Sequence, residues 1–398
     1  MSAKPLSGLR VVEMAHMVMG PTCGMILADL GADVIKVEPP EGDNTRRLSG
    51  PGIGFATVFN RNKRSLAIDL KDPRGRDAVL RLIDRADVFS ENFRPGALDR
   101  LGFGWEALSS RNPRLIYVSH KGFQDGPYAH RVALDEVVQM MGGLAWMTGP
   151  PGQPLRAGSS VNDIMGGMFG AIGVLAALQE RNRTGRGCHV VSSLYENTVL
   201  LMAQHMAQHA ITGLPLQPMS VRNPTWGVYD IIDTADGGRV FVGVVTDTQW
   251  SAFCAAFGYD DLAADARLAS NNGRVAERAW LIPELQRRLG VLDAATLSAR
   301  FEAIGLPFAP IARPEQLFDD PHLNASGGLL AVALPDGRTA KLPALPLALD
   351  GERPGLDRQP PAIGEHGRDV LAEAGLALAE IDSLIAAGVV RLPEALPA

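Results

Sequence analysis

Leu9-Arg10-Val11-Val12-Glu13, a Gly20-Pro21 break, a helical run to Leu30, a turn at Gly31 and then Val34-Ile35-Lys36-Val37 form the stretch that decides the fold. Two short apolar runs bracket a helix and a glycine turn. That is the signature of a β-α-β unit, the building block of a parallel sheet with helices on its faces. The pattern continues with further strand signals at Leu66-Ala67-Ile68-Asp69-Leu70, Asp87-Val88-Phe89-Ser90, Leu115-Ile116-Tyr117-Val118 and His189-Val190-Val191-Ser192. The expected fold class is therefore α/β, with a large Rossmann-like parallel-sheet domain over residues 1–212. Its glycines do not form the GxGxxG fingerprint, so dinucleotide binding is not supported.

From Asn223 the texture changes. Trp226-Gly227-Val228-Tyr229, the turn Asp236-Gly237-Gly238 and Arg239-Val240-Phe241-Val242-Gly243-Val244 read as a hairpin, with helical segments from Thr248 to Phe257 and Arg274 to Ile304. A smaller α+β domain is expected over 223–330. Residues 331–398 read as a linker, Pro-rich from Pro343 to Pro361, and two short helices near Gly367 to Glu373 and Leu378 to Ala387, returning to the large domain.

The 398 residues, 46% hydrophobic and 21% charged, have the balance of a globular protein large enough for two domains. No apolar run reads as long enough to span a bilayer, and Met1 to Ser7 does not read as a signal peptide, so a cytoplasmic protein is expected. Cys23, Cys188 and Cys254 match neither a disulfide framework nor a metal spacing. His205 and His209 lie four apart on one helical face, but no third ligand is evident, so no metal site is expected. A net charge of −6 argues against nucleic acid as the main partner, while local positive charge still suits an anionic small molecule.

That positive charge recurs at strand ends. Asn60-Arg61-Asn62-Lys63-Arg64 precedes one strand, Glu91-Asn92-Phe93-Arg94-Pro95-Gly96 follows another with Arg100 a turn beyond, and Ser119-His120-Lys121-Gly122-Phe123 follows a third. Loops after parallel strands share one edge of the sheet, so Arg94, Arg100 and Lys121 are expected to converge there, with Lys63 and Arg64 brought near by the turn.

The chemistry is placed in Ser159-Ser160-Val161-Asn162-Asp163-Ile164-Met165-Gly166-Gly167-Met168-Phe169-Gly170. Polar residues open a helix running to about Gln179, and Ile164, Met168, Ile172 and Leu175 lie at helical spacing for a buried face. Asp163 at the helix start is expected to be ionised by the local partial positive charge. Gly166 and Gly167 admit a close approach, of a substrate in one reading and of a neighbouring helix in the other.

Taken together these segments resemble the class III CoA-transferases, the family of the carnitine, formyl/oxalate and benzylsuccinate CoA-transferases, related to the 2-methylacyl-CoA racemases. The likeness runs from Leu6-Ser7-Gly8-Leu9-Arg10-Val11-Val12-Glu13 through Ala28-Asp29-Leu30-Gly31-Ala32-Asp33-Val34-Ile35-Lys36-Val37-Glu38, Asn62-Lys63-Arg64-Ser65, Glu91-Asn92-Phe93-Arg94-Pro95-Gly96 and Arg183-Thr184-Gly185-Arg186-Gly187 to Ile363-Gly364-Glu365-His366. It implies that Asp163 is the catalytic carboxylate and that CoA is held by Val18, Met19, Asn62, Lys63, Asn92, Phe93, Arg94, Arg100, Lys121, Gly122, Phe123 and Gln124. Pro39 stands where members can carry a cation. The resemblance further implies acyl-CoA as substrate, no permanently bound cofactor, and an interlocked homodimer with the active site between the large and small domains. Family racemases carry a His immediately before the Asp that Asp135 matches; Leu134 stands there, which favours transfer over racemisation. Arg156 is a further candidate for pairing an acceptor carboxylate, succinate being one reasonable acid.

Overall fold

The computed structural model describes residues 4–221 and 225–393. The expected start of the small domain, Asn223, and the terminal residues Met1 to Ala3 lie outside the described residues. The chain divides into two compact units, one of residues 1–220 with 321–398 and one of residues 221–320.

In the first unit six strands run in parallel: β1 (Arg10–Met14), β2 (Asp33–Glu38), β3 (Arg64–Ile68), β4 (Val88–Glu91), β5 (Ile116–Lys121) and β6 (His189–Ser193). The two-residue strand Val390–Arg391 adds antiparallel to the β3 edge. Across the sheet the order is Val390–Arg391, β3, β2, β1, β4, β5, β6. Alternation along the strands splits the core in two. Val12, Ile35, Leu66 and Phe89 face the helix Pro73–Ile83 and the C-terminal helices Gly367–Glu373 and Leu378–Ala386, while Val11, Val34, Val88 and Val118 face the opposite side. That opposite side is covered by α1 (Met19–Asp29), every residue of which is buried. Beyond the β5 strand come α2 (Asp135–Met141) and the long α3 (Val161–Thr184).

The chain leaves β1 for β2 on one side and returns to β4 on the other. The connections after β1 and β4 diverge there, and such reversals leave a crevice at the carboxyl ends of the strands.

Helix α3 differs from expectation. It starts two residues before Asp163 and extends to Thr184, where Gly185 at φ 74° ends it. The stripe expected to be buried is outside: Met168 is 47% exposed, Ile172 54% and Leu175 39%. The buried face is instead the small-residue line Gly166, Gly167, Gly170, Ala171, Val174 and Ala177. A Cβ on Gly167 would lie 2.5 Å from the Thr22 Cβ and 2.6 Å from the Met19 carbonyl oxygen. The glycines thus admit α1, and backbone proximity outweighed side-chain hydrophobicity in choosing the buried face. By length and composition α3 also meets the requirement for crossing a membrane, which corrects the reading that no such run exists. It nonetheless packs on α1, β5 and β6 as a helix of the unit's own core.

The second unit has an antiparallel sheet of β7 (Val228–Asp233), β8 (Arg239–Val244) and β9 (Phe308–Pro310) in that order. Helices Asp247–Phe257, Arg278–Leu289 and Ala294–Ala303 bring Phe253, Leu281, Leu285 and Phe301 into its core with Val240, Val242 and Val244. The helical stretch expected from Arg274 to Ile304 is broken between Leu289 and Ala294. The boundary expected at residue 330 lies at 320, so the hairpin β10 (Leu329–Ala333) and β11 (Thr339–Pro343) belongs with the first unit.

Candidate active site

A cleft of about 620 Å³ opens at the carboxyl ends of β1, β4 and β5, lined entirely by residues of the first unit. Each strand contributes residues at or just past its end. From β1 come His16, Met17 and Met19; from β4, Asn92, Phe93, Arg94, Pro95, Ala97 and Arg100; from β5, His120, Lys121, Gly122 and Phe123. The segment Ala129 to Asp135 and the side chain of Asp163 close the wall.

The loop between β1 and α1 is held from several sides. Asn92 receives the His16 N–H on its Oδ1 at 3.0 Å and donates to the His16 carbonyl at 2.7 Å. The Met17 N–H donates to Thr45 Oγ1 at 2.9 Å, and the Lys36 ammonium donates to the Ala15 carbonyl at 2.6 Å. Met17 adopts a positive φ of 63°, a conformation that costs a non-glycine residue and persists only where its surroundings impose it. Rigid presentation of Met17 and Met19 to the cleft is the result.

Among the expected cations, Arg94, Arg100 and Lys121 line the cleft together. The Lys121 ammonium donates to Glu91 Oε1 at 2.6 Å and the Phe93 carbonyl at 3.1 Å. Among the described residues the guanidinium groups of Arg94 and Arg100 make no ion pair or hydrogen bond, so their charge is available to an anion.

Lys63 and Arg64 do not join them. A residue that begins a parallel strand lies at the edge opposite to one that ends it. Arg64 accordingly pairs with Asp33 and Glu373. Lys63 has no exposed surface and its ammonium donates to Glu13 at 2.8 and 2.9 Å, to the Pro21 carbonyl at 3.0 Å and to Asn60 at 3.2 Å. Burial pulls its pKa down to about 8. Asn62 is also a structural tie: its carboxamide donates to Asp29 and Gly355 and receives the N–H groups of Asp357 and Arg358. Val18 is buried at the start of α1, and Gln124 turns to the Val191 carbonyl and Glu196 instead of the cleft. Val18, Asn62, Lys63, Arg64 and Gln124 thus stand outside the cleft lining.

Asp163 is the third residue of α3. The amides at the head of that helix are taken by another carboxylate: Asp135 Oδ2 accepts from the N–H of Asn162 at 2.8 Å and of Asp163 at 3.1 Å. Among the described residues the Asp163 carboxyl has no hydrogen-bond partner. Burial first, and the facing Asp135 charge second, push its pKa up to about 7, with Arg156 opposing. The nucleophile expected to be held ionised by the helix terminus thus has its pKa raised by burial and by Asp135, and the helix-terminal amides serve its neighbour. Arg156 does not line the cleft; its guanidinium lies 3.6 Å from Asp135 and 3.6 Å from Glu136 and donates to the Ala157 and Ser159 carbonyls.

Sequence reasoning missed several lining residues. Arg131 stacks its guanidinium 4.3 Å over the Tyr128 ring, and the turn-rich Asp125-Gly126-Pro127 before it was the available signal. His16 rests edge-on against Phe93 at 5.5 Å. His120 is buried with Nε2 3.1 Å from Ser90 Oγ, and burial drives its pKa down to about 3. Leu134, 62% exposed, occupies the cleft wall beside Asp135. His130 is exposed and does not line the cleft. His205 and His209 are likewise surface residues, with no cluster of three or more metal-ligating side chains among the described residues.

A family model described as CoA-transferase family III matches residues 6–367. The chain is 36% identical to succinate–glutarate CoA-transferase of Agrobacterium fabrum, covering 93% of this chain and 95% of that protein. It is 35% identical to acetyl-CoA:oxalate CoA-transferase of Acetobacter aceti, covering 91% and 94%. A crystal structure of a CAIB/BAIF family protein from Brucella suis superimposes with a TM-score of 0.83 at 35% identity, covering 94% of this chain and all of the other (100%).

Proposed function

The chain belongs to CoA-transferase family III, and from that premise we propose that Asp163 carries CoA between two acids through covalent intermediates. The enzyme moves CoA from an acyl-CoA thioester to a free carboxylic acid. The observation that carries the covalent reading is the Asp163 carboxyl, without a hydrogen-bond partner among the described residues, on the wall of a cleft that also presents the Arg94 and Arg100 guanidinium groups.

In its ionised form an Asp163 oxygen attacks the thioester carbonyl and expels CoA thiolate, leaving a mixed anhydride. The thiolate attacks the aspartyl carbonyl, releasing the first acid and forming an aspartyl-CoA thioester. The acceptor carboxylate attacks that carbonyl, the thiolate leaves again, and its return to the acyl carbon yields the new acyl-CoA and the free Asp163 carboxylate. Protons balance over the cycle. Each exchange is divided into steps with good leaving groups, and no metal or redox group is required. Arg94, Arg100 and Arg131 meet the CoA phosphates, while Met17, Met19 and Phe123 flank the apolar arm. The succinate in the name of the Agrobacterium fabrum relative makes succinyl-CoA the donor, and dicarboxylates the acceptors, to try first. The exposed Met168, Ile172 and Leu175 support a homodimer, interlocked as the family resemblance implies, and a cytoplasmic setting suits these substrates.

Racemisation lacks its imidazole: Leu134 fills the place before Asp135. The deciding experiment incubates the protein with succinyl-CoA, adds borohydride or hydroxylamine, and maps the product by mass spectrometry. Modification at Asp163 is the expected result; an active enzyme with Asp163 untouched rejects the covalent route, and α-deuterium wash-in without CoA exchange would instead establish racemisation.

A further inference from the structure

Two carboxyl groups meet at the head of α3, and their environments differ. Asp135 is 6% exposed and its oxygens are fully engaged: Oδ2 by the Asn162 and Asp163 amides, Oδ1 by the Gln139 carboxamide, which itself receives the Ala157 N–H at 2.8 Å. Three N–H donors thus converge on this one side chain. Asp163 has none among the described residues. Had Asp163 folded back on its own helix terminus, those amides would have stabilised its charge and dulled it as a nucleophile.

We propose that Asp135 is a positioning residue for the transfer: by occupying the amides at the head of α3 it leaves the Asp163 carboxyl uncapped on the cleft wall and sets a fixed negative charge against it. The inference rests on Asp163 being the acyl carrier. Gln139 and the Ala157 amide brace Asp135, tying the loop before α3 to α2. Arg156 is the countercharge, 3.6 Å from Asp135, with Glu136 on its other side. The remaining charged groups on the cleft wall are Arg94, Arg100, Lys121, Asp125 and Arg131, and burial lowers the pKa of the imidazoles His16 and His120. Asp135 is the carboxylate that raises Asp163 and Arg156 the cation that lowers it.

The experiment follows CoA thiol release from succinyl-CoA in a single turnover as a function of pH. In Asp135→Asn the side-chain oxygen still receives the two amides while the charge is gone. Its acid limb is expected to move down by about one pH unit relative to the native enzyme. Arg156→Gln is expected to move the limb the other way, which also serves if the first variant folds poorly. A merely structural role would lower the amplitude or the melting temperature in both variants without moving either limb. Limbs that stay in place, or move in the same direction, overturn the inference. Failure of the native enzyme to release thiol or take label at Asp163 would instead reject the covalent reading itself.

Discussion

Lys63 and Glu13 form an ion pair of 2.8 Å in which neither side chain reaches solvent. It fills the space between β1 and α1, and Gly24 is the residue that makes room: a Cβ there would stand 1.8 Å from Glu13 Oε2. A cation that sits in a motif associated with CoA binding thus serves the interior.

The pair predicts a clean separation of effects. Lys63→Met strands the Glu13 carboxylate without its partner and is expected to cost ~3–5 kcal/mol, read as a lowered urea midpoint. Arg94→Ala and Arg100→Ala leave stability within about 0.5 kcal/mol, as exposed or cleft-edge changes do, and raise the KM for acyl-CoA several-fold. A Lys63 variant with native stability and a raised KM would return that side chain to the ligand.

Asp163 ties activity and stability to pH in opposite senses. Burial and Asp135 raise its pKa to about 7, so kcat/KM is expected to climb as pH rises through that value, since only the ionised form attacks. For stability, a carboxyl raised in the fold favours the protonated native state. Its contribution is lost as pH rises from the ordinary carboxylate range through about 7. Asp163→Asn should therefore abolish transfer and stabilise the fold at pH 8 by ~1–3 kcal/mol, with little gain at pH 4, as paired denaturation curves would show. Equal midpoints at both pH values would contradict the assignment.

The glycine face of α3 leaves no slack. Gly167→Ala sets a methyl group against Thr22 and the Met19 carbonyl, and α1 must retreat. Overpacking of this kind costs ~1–3 kcal/mol, and because Met19 lies on the cleft it should also lower kcat/KM. Gly152→Ala is the comparison for strain without crowding: it has a positive φ of 74° but no neighbouring atom within 4 Å, so a loss confined to stability is expected.

The outward stripe of α3 makes assembly testable. Ile172→Glu places charge on an apolar face and should shift sedimentation from dimer toward monomer. An unchanged sedimentation coefficient would mean that this stripe joins no second copy.

Local pattern determined much of this protein. Short apolar runs between glycine and proline turns are strongly periodic, so the parallel strands and the helix of Asp163 were legible to within a few residues. The convergence of Arg94, Arg100 and Lys121 followed from one rule about where loops after parallel strands lie. Direction was another matter. The apolar spacing of Ile164, Met168, Ile172 and Leu175 was real, yet the glycines opposite allowed α1 so near that the small-residue face went inward and the large residues outward. Lys63 read as a CoA-holding cation because nothing in its neighbours reveals Glu13, fifty positions away.

The ordering of letters thus established the β-α-β framework and drew attention to a single aspartate at the start of a helix. Only the folded chain decided which carboxylate would own that helix's free amides. Hydrogen-bond donors at a helix terminus go to whichever acceptor tertiary packing brings within about 3 Å, and here packing brought Asp135, leaving the Asp163 oxygens without a hydrogen-bond donor among the described residues.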